Sequence, residues 1–110
     1  MPLSKRARIE IFLPEKQNAQ YRRLHKAFED EFLETFGGCT VIEGIQGLYS
    51  GADGKTENDK ISLIYTDTPF DFDENFKALS DYTDELREAA LNATEEESIL
   101  IVVHEIYHSL

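Results

Sequence analysis

Tryptophan is absent from this chain, and there is one cysteine, one methionine and three prolines among 110 residues. A single thiol, Cys39, cannot form an internal disulfide, so the fold must rest on packing, and the expected location is the reducing cytoplasm. Nowhere do the ~18 consecutive apolar residues of a membrane span occur, so no membrane is expected as a partner. The opening MPLSKRARIEIFLP has a basic start but no apolar core of signal-peptide length, since Glu10 interrupts it and Pro14 ends it. Positive charge is scarce as well: eleven Lys/Arg stand against 22 Asp/Glu, a net charge of −11. Such a chain repels phosphate backbones, and nucleic acid is not an expected partner. The glycine fingerprints of dinucleotide and P-loop sites are missing, and no Ser/His/Asp arrangement can be argued from spacing.

What charge there is lies unevenly. Residues 5–26 carry seven Lys/Arg against Glu10 and Glu15, while residues 67–97 carry eleven acids against Lys77 and Arg87. The acidic stretch reads as a solvated helix face. The length suits one hydrophobic core without metal or disulfide staples. A loose tail is expected over 1–7 and a single domain over 8–110.

Periodicity supplies the elements. RIEIFLP (8–14) alternates, with Ile9, Ile11 and Leu13 on one face and Arg8, Glu10 and Phe12 on the other, as in a strand closed by Pro14. Tyr21, Leu24, Phe28, Phe32 and Phe36 then recur at helical spacing. Asn18 suits the N-cap, and Gly37-Gly38 the left-handed stop. CTVIEGIQGLYS (39–50) reads as a strand whose glycines mark bulges or a close approach. GADGKTEND (51–59) is turn chemistry, and KISLIYTD (60–67) returns as a strand. Asp71, with Glu74 three residues later, resembles a capping box opening a second helix. Phe72, Phe76, Leu79, Tyr82, Leu86, Ala90 and Ala93 form its expected apolar stripe. SILIVVHEIY (98–107) is a β-branched run expected as a strand buried on much of both faces. The order β-α-β-β-α-β predicts an α+β fold of the ferredoxin-like kind, a four-stranded antiparallel sheet with both helices on one face.

Against that frame the sharpest motif weakens. HEIYH (104–108) fits the H-E-x-x-H string of zinc peptidases. The motif works on a helix, where the two imidazoles are neighbours. On a strand they lie about 13 Å apart, at ~3.3 Å per residue, and only Ser109 and Leu110 follow. No metal site and no cofactor are expected. GADGKTENDK lacks the ligand spacing of an EF-hand, and the acids of TDTPFDFDE are better used as helix caps. Cys39 reads as a small filler at a strand start.

Gly44-Ile45-Gln46-Gly47-Leu48-Tyr49 resembles the glycine-rich signature of acylphosphatases, which are also ferredoxin-like. That family holds a phosphate with a loop leading into a helix and with an arginine. Here the stretch leads into a hairpin and Ser50 stands near the arginine's place, so the phosphate site does not carry over. In outline the chain is similar to small uncharacterised bacterial ferredoxin-like proteins, to ACT domains and to dimeric α+β barrels. Two readings stand, the first on the missing catalytic constellation and the apolar second face of the sheet, the second on the likeness to dimeric α+β barrels, where His104, Tyr65 or Tyr49 could serve. One is a homo-oligomeric module that binds a ligand or partner and has no recognisable catalytic site. The other is a cofactor-independent enzyme of the dimeric α+β barrel type, with its site on the open sheet face. The expected partners are a second copy, paired as a dimer through the sheet face, and a small-molecule ligand. Phe12 and Ile64 are assigned to that open face, with Glu10 and His104 as the polar groups beside them.

Overall fold

The computed structural model describes residues 3–109. Its elements run β1 (Ser4–Pro14), α1 (Ala19–Phe36), β2 (Thr40–Ser50), β3 (Thr56–Asp67), α2 (Phe76–Asn92) and β4 (Leu100–His108). The strands form one sheet in the order β2-β3-β1-β4, and every neighbouring pair is antiparallel. This is the split β-α-β arrangement expected from the order of elements.

Local chemistry sets the ends of α1. Asn18 accepts a hydrogen bond from the Tyr21 backbone N–H at 3.0 Å, and Gly37 closes the helix at φ 84°, which a side chain would resist. Tyr21, Leu24, Phe28 and Phe32 are its buried stripe. Helix α2 starts later than its apolar pattern. Asp71 does cap, accepting from the Glu74 N–H at 3.0 Å, but what it caps is a separate turn before Phe76. The buried face of α2 is Leu79, Thr83, Leu86 and Ala90, and Phe76 is 60% exposed.

Both helices cover the face of the sheet that carries Ala7, Ile9, Ile11 and Leu13 of β1. The pairing of Ile11 with Ile64 sends Ile64 to the same side, where it is fully buried. The assignment of Ile64 to the open face is therefore corrected: it is a core residue, and Ile61, Leu63 and Tyr65 take the open face instead. Alternation along β3 favoured the reverse because Ser62 and Thr66, which flank Ile64 on the inner face, are polar. Both are satisfied inside: Ser62 donates to Glu15 at 2.8 Å, and Thr66 donates to the Gly38 carbonyl at 2.7 Å.

The tail assigned to 1–7 is also corrected in part. Ser4–Ala7 belong to β1, because β4 runs on to His108 and pairs with them, Ser4 opposite His108 and Ala7 opposite Glu105. Met1 and Pro2, the rest of that tail apart from Leu3, lie outside the described residues.

The two strand glycines act differently. Gly44, at φ 71°, sits in a bulge where the register shifts between Ile42 and Ile45. Gly47 gives room: a Cβ there would meet Ile61 Cδ1 at 2.7 Å and the Tyr49 hydroxyl at 2.8 Å. Beyond Ile61, β3 has no pairing with β1. The segments 46–50 and 56–60 continue as a two-stranded ribbon, and the molecule measures 49 × 29 × 25 Å.

Candidate functional site

The face of the sheet away from the helices is organised in rows. One row is apolar across the whole sheet: Ile42 lies opposite Leu63, Leu63 opposite Phe12, and Phe12 opposite Leu100. Ile42 is 44% and Leu100 58% exposed. The next row is mixed, with Thr40 opposite Tyr65, Tyr65 opposite Glu10, and Glu10 opposite Val102. The third is charged: Asp67 faces Arg8, which faces His104.

Charges in these rows are engaged with one another. The Arg8 guanidinium grips Asp67 through two contacts, Nε to Oδ1 at 2.6 Å and Nη2 to Oδ2 at 3.1 Å. It also stacks 4.3 Å from the centre of the Tyr65 ring, a cation–π contact that fixes the plane of the guanidinium. Hydrogen bonding to Asp67 raises the Arg8 pKa further, so its charge is permanent. His104 Nε2 lies 3.2 Å from Glu10 Oε2, without the alignment of a straight hydrogen bond. The charged end of the face is thus a chain of side chains from Asp67 through Arg8 and Tyr65 to Glu10 and His104.

Three of the four residues singled out in the sequence, Phe12, Glu10 and His104, share this face, and two of them touch. Ile64 does not join them. Arg8, Tyr65 and Asp67 complete the cluster; the likeness to dimeric α+β barrels points to Tyr65, with Tyr49 and His104, as a group that could serve, and Arg8 and Asp67 were not singled out. Arg8 was legible as the partner of Glu10 on the polar face of the first strand, but its match to Asp67 depends on a register that spacing does not give. His108 shares the face of His104, as four residues along a strand require, and pairs opposite Ser4 at the far end of the sheet.

At the other end the apolar row opens into a hollow of about 330 Å³, with Phe12, Tyr49, Ile61 and Leu100 for walls and Glu57 and Asp59 at its edge. It includes neither His104 nor Glu10.

Solved structures show the same architecture. CutA1 from Oryza sativa aligns with 98% of this chain and 85% of its own, with a TM-score of 0.63 and 18% identity. CPII from Thiomonas intermedia K12, solved with ADP, AMP and acetate bound, aligns with 100% of this chain and 94% of its own, with a TM-score of 0.51 and 21% identity. The fold is ferredoxin-like. At these identities the likeness speaks to the fold. No protein-family model matches the chain, and no curated protein matches it. Among the described residues, no helix is long and apolar enough to cross a membrane.

Proposed function

We propose that this protein is a self-associating binding module that pairs as a twofold dimer through the open sheet face and takes a small-molecule ligand. The apolar row Ile42–Leu63–Phe12–Leu100, four strands wide on the uncovered side of the sheet, carries the reading. Side chains of this kind continuous across a face mark an interaction site, and closed twofold pairing is the commonest solution for a single chain. Beside the row, the Arg8–Asp67 ion pair and the Glu10–His104 contact supply a polar border.

Sedimentation equilibrium at micromolar concentration tests it. Wild type is expected at the mass of two chains, and Phe12→Asp and Leu63→Asp at the mass of one. A single-chain mass for wild type overturns association. A mass of three chains that Phe12→Asp dissolves would keep the face and replace the symmetry. Ile64 is unsuited to the test, because a change there unfolds the core.

The contact between Glu10 and His104 favours a second reading, an enzyme without cofactor whose site is closed by the second copy. Under it, a molecule that co-purifies with wild type in native mass spectrometry is lost from His104→Gln while the oligomer mass is kept.

A further inference from the structure

The helix layer holds an apolar cavity that the sheet face does not use. It has a volume of about 200 Å³ and lies between the end of α1, the start of α2 and the turn before it, lined by Phe36, Phe70, Leu79, Tyr82, Ala78 and the polar pair Thr35 and Asn75. Three aromatic rings frame it. Phe36 meets Phe70 edge-on at 6.3 Å and 81°, and meets Tyr82 at 5.7 Å and 86°. Edge-on rings of this kind leave faces and edges free to pack against a further ring.

Its chemistry is unusual for the molecule. Charged residues make up 30% of the chain, yet the lining contains none. Tyr82 is the one titratable lining group. Burial first, then the nearby Glu31 carboxylate, pushes its pKa up, and its hydroxyl donates to Glu31 Oε1 at 3.1 Å. The phenol is therefore neutral. Asn75 donates from Nδ2 to the Asp71 carbonyl at 2.9 Å, and its side chain caps no N–H of α2. Its amide oxygen is an acceptor available at the rim.

We infer that this cavity binds a neutral aromatic molecule of one or two fused rings with a single hydrogen-bond donor. Size supports the class: an apolar cavity of ~150 Å³ takes up benzene, and this one is somewhat larger. Charge bears on it too, since a carboxylate entering here would lose its water, find no counter-ion in the lining and lie near the Glu31 carboxylate that Tyr82 bonds at 3.1 Å. The inference deepens the small-ligand half of the proposed function. It is independent of the dimer, because the cavity lies on the helix side and the proposed contact on the open side.

Indole is the probe, with indole-3-carboxamide and indole-3-carboxylate as a near-isosteric pair that differs by one charge, all titrated into the full-length protein and followed by amide and side-chain NMR shifts. Indole is expected to bind saturably, with shifts centred on Phe36, Phe70, Ala78 and Tyr82, and the carboxylate at least ~tenfold more weakly than the carboxamide. Ala78→Phe places a ring in the cavity from an exposed helix position and should weaken indole by at least ~tenfold with the thermal midpoint retained. The inference is overturned if indole does not saturate, if its shifts centre elsewhere, if the carboxylate binds as well as the carboxamide, or if folded Ala78→Phe binds as wild type does. Should Ala78→Phe fail to fold, the shift map and the paired probes decide alone. Phe12→Asp, monomeric or not, should bind indole like wild type, so a failed dimer and a failed cavity are told apart.

Discussion

Glu15 sits just past the end of β1, where its carboxylate ties two other segments together. One oxygen accepts from the Gly44 N–H in the bulge at 2.6 Å and from the buried Ser62 hydroxyl at 2.8 Å. Hydrogen bonding to Gly44, then to Ser62, holds its pKa below the ordinary carboxylate value of 4.5. A depressed carboxylate contributes stability above its unfolded pKa and loses it as pH falls through the folded one. Urea unfolding should therefore show Glu15→Gln less stable than wild type at neutral pH, with the gap closing as pH drops below about 4.5. A gap that stays constant down to acid pH would refute the linkage. Glu15→Ala strands the Ser62 hydroxyl in the interior and should cost ~1–3 kcal/mol. Ile64→Ala should cost ~2–5 kcal/mol, since the side chain has no exposed surface. The same measurement on Leu63→Ala, performed below the concentration at which copies associate, should give a much smaller loss.

At the scale of elements, the helices and strands were largely legible because each carries its own period and punctuation. Asn18, the Gly37 stop and the glycine bulge at 44 all do what their chemistry requires. The faces of β3 were not legible. Its inward row, Ser62-Ile64-Thr66, is less apolar than its outward row, Ile61-Leu63-Tyr65, and only the alignment of Ile64 with Ile11 decides between them. A slip of one residue exchanges the rows, and no residue within β3 reports the slip. Helix α2 misled in a related way. Phe76 fits the apolar spacing, yet it begins the helix and lies against Phe72, 5.6 Å between ring centres, with most of its surface in water. Phe28→Ala should cost ~3–5 kcal/mol and Phe76→Ala less than ~1, read as shifts in the denaturation midpoint at constant slope. Equal losses would mean that α2 packs through Phe76 after all. The Glu10–His104 contact was half-visible: both residues could be named, but not their adjacency, which follows from β4 pairing beside β1.

For the whole molecule, the Cα radius of gyration is 15.2 Å, against ~13 Å for a compact chain of this length. Strand pairs run past the rest of the sheet at both ends and lengthen it, 46–50 with 56–60 at one and Ser4–Arg6 with Ile106–His108 at the other. Any second copy also brings a further charge of −11. Copies repel at a distance and attract only where the apolar rows meet, so association should strengthen as ionic strength rises from ~10 mM to ~150 mM and the screening length shortens. Weakening with added salt would instead place charge pairing at the centre of the interface.

The ribbon has one more consequence. A two-stranded hairpin is marginally stable alone in water, and residues 56–59 of β3 pair with β2 alone, whereas the Lys60 carbonyl also accepts from the Glu15 N–H at 2.9 Å and residues 61–67 are flanked by β1 as well. Amide protons in the outer half should thus exchange with deuterium through local fraying, on a timescale set by the hairpin. Those in the inner half should wait for the cooperative opening of the sheet. The change between the two regimes is expected at Ile61, within one unbroken strand, and in a denaturant series only the inner protons should follow the global unfolding free energy. Uniform protection from Thr56 to Asp67 would mean that something grips the ribbon from outside.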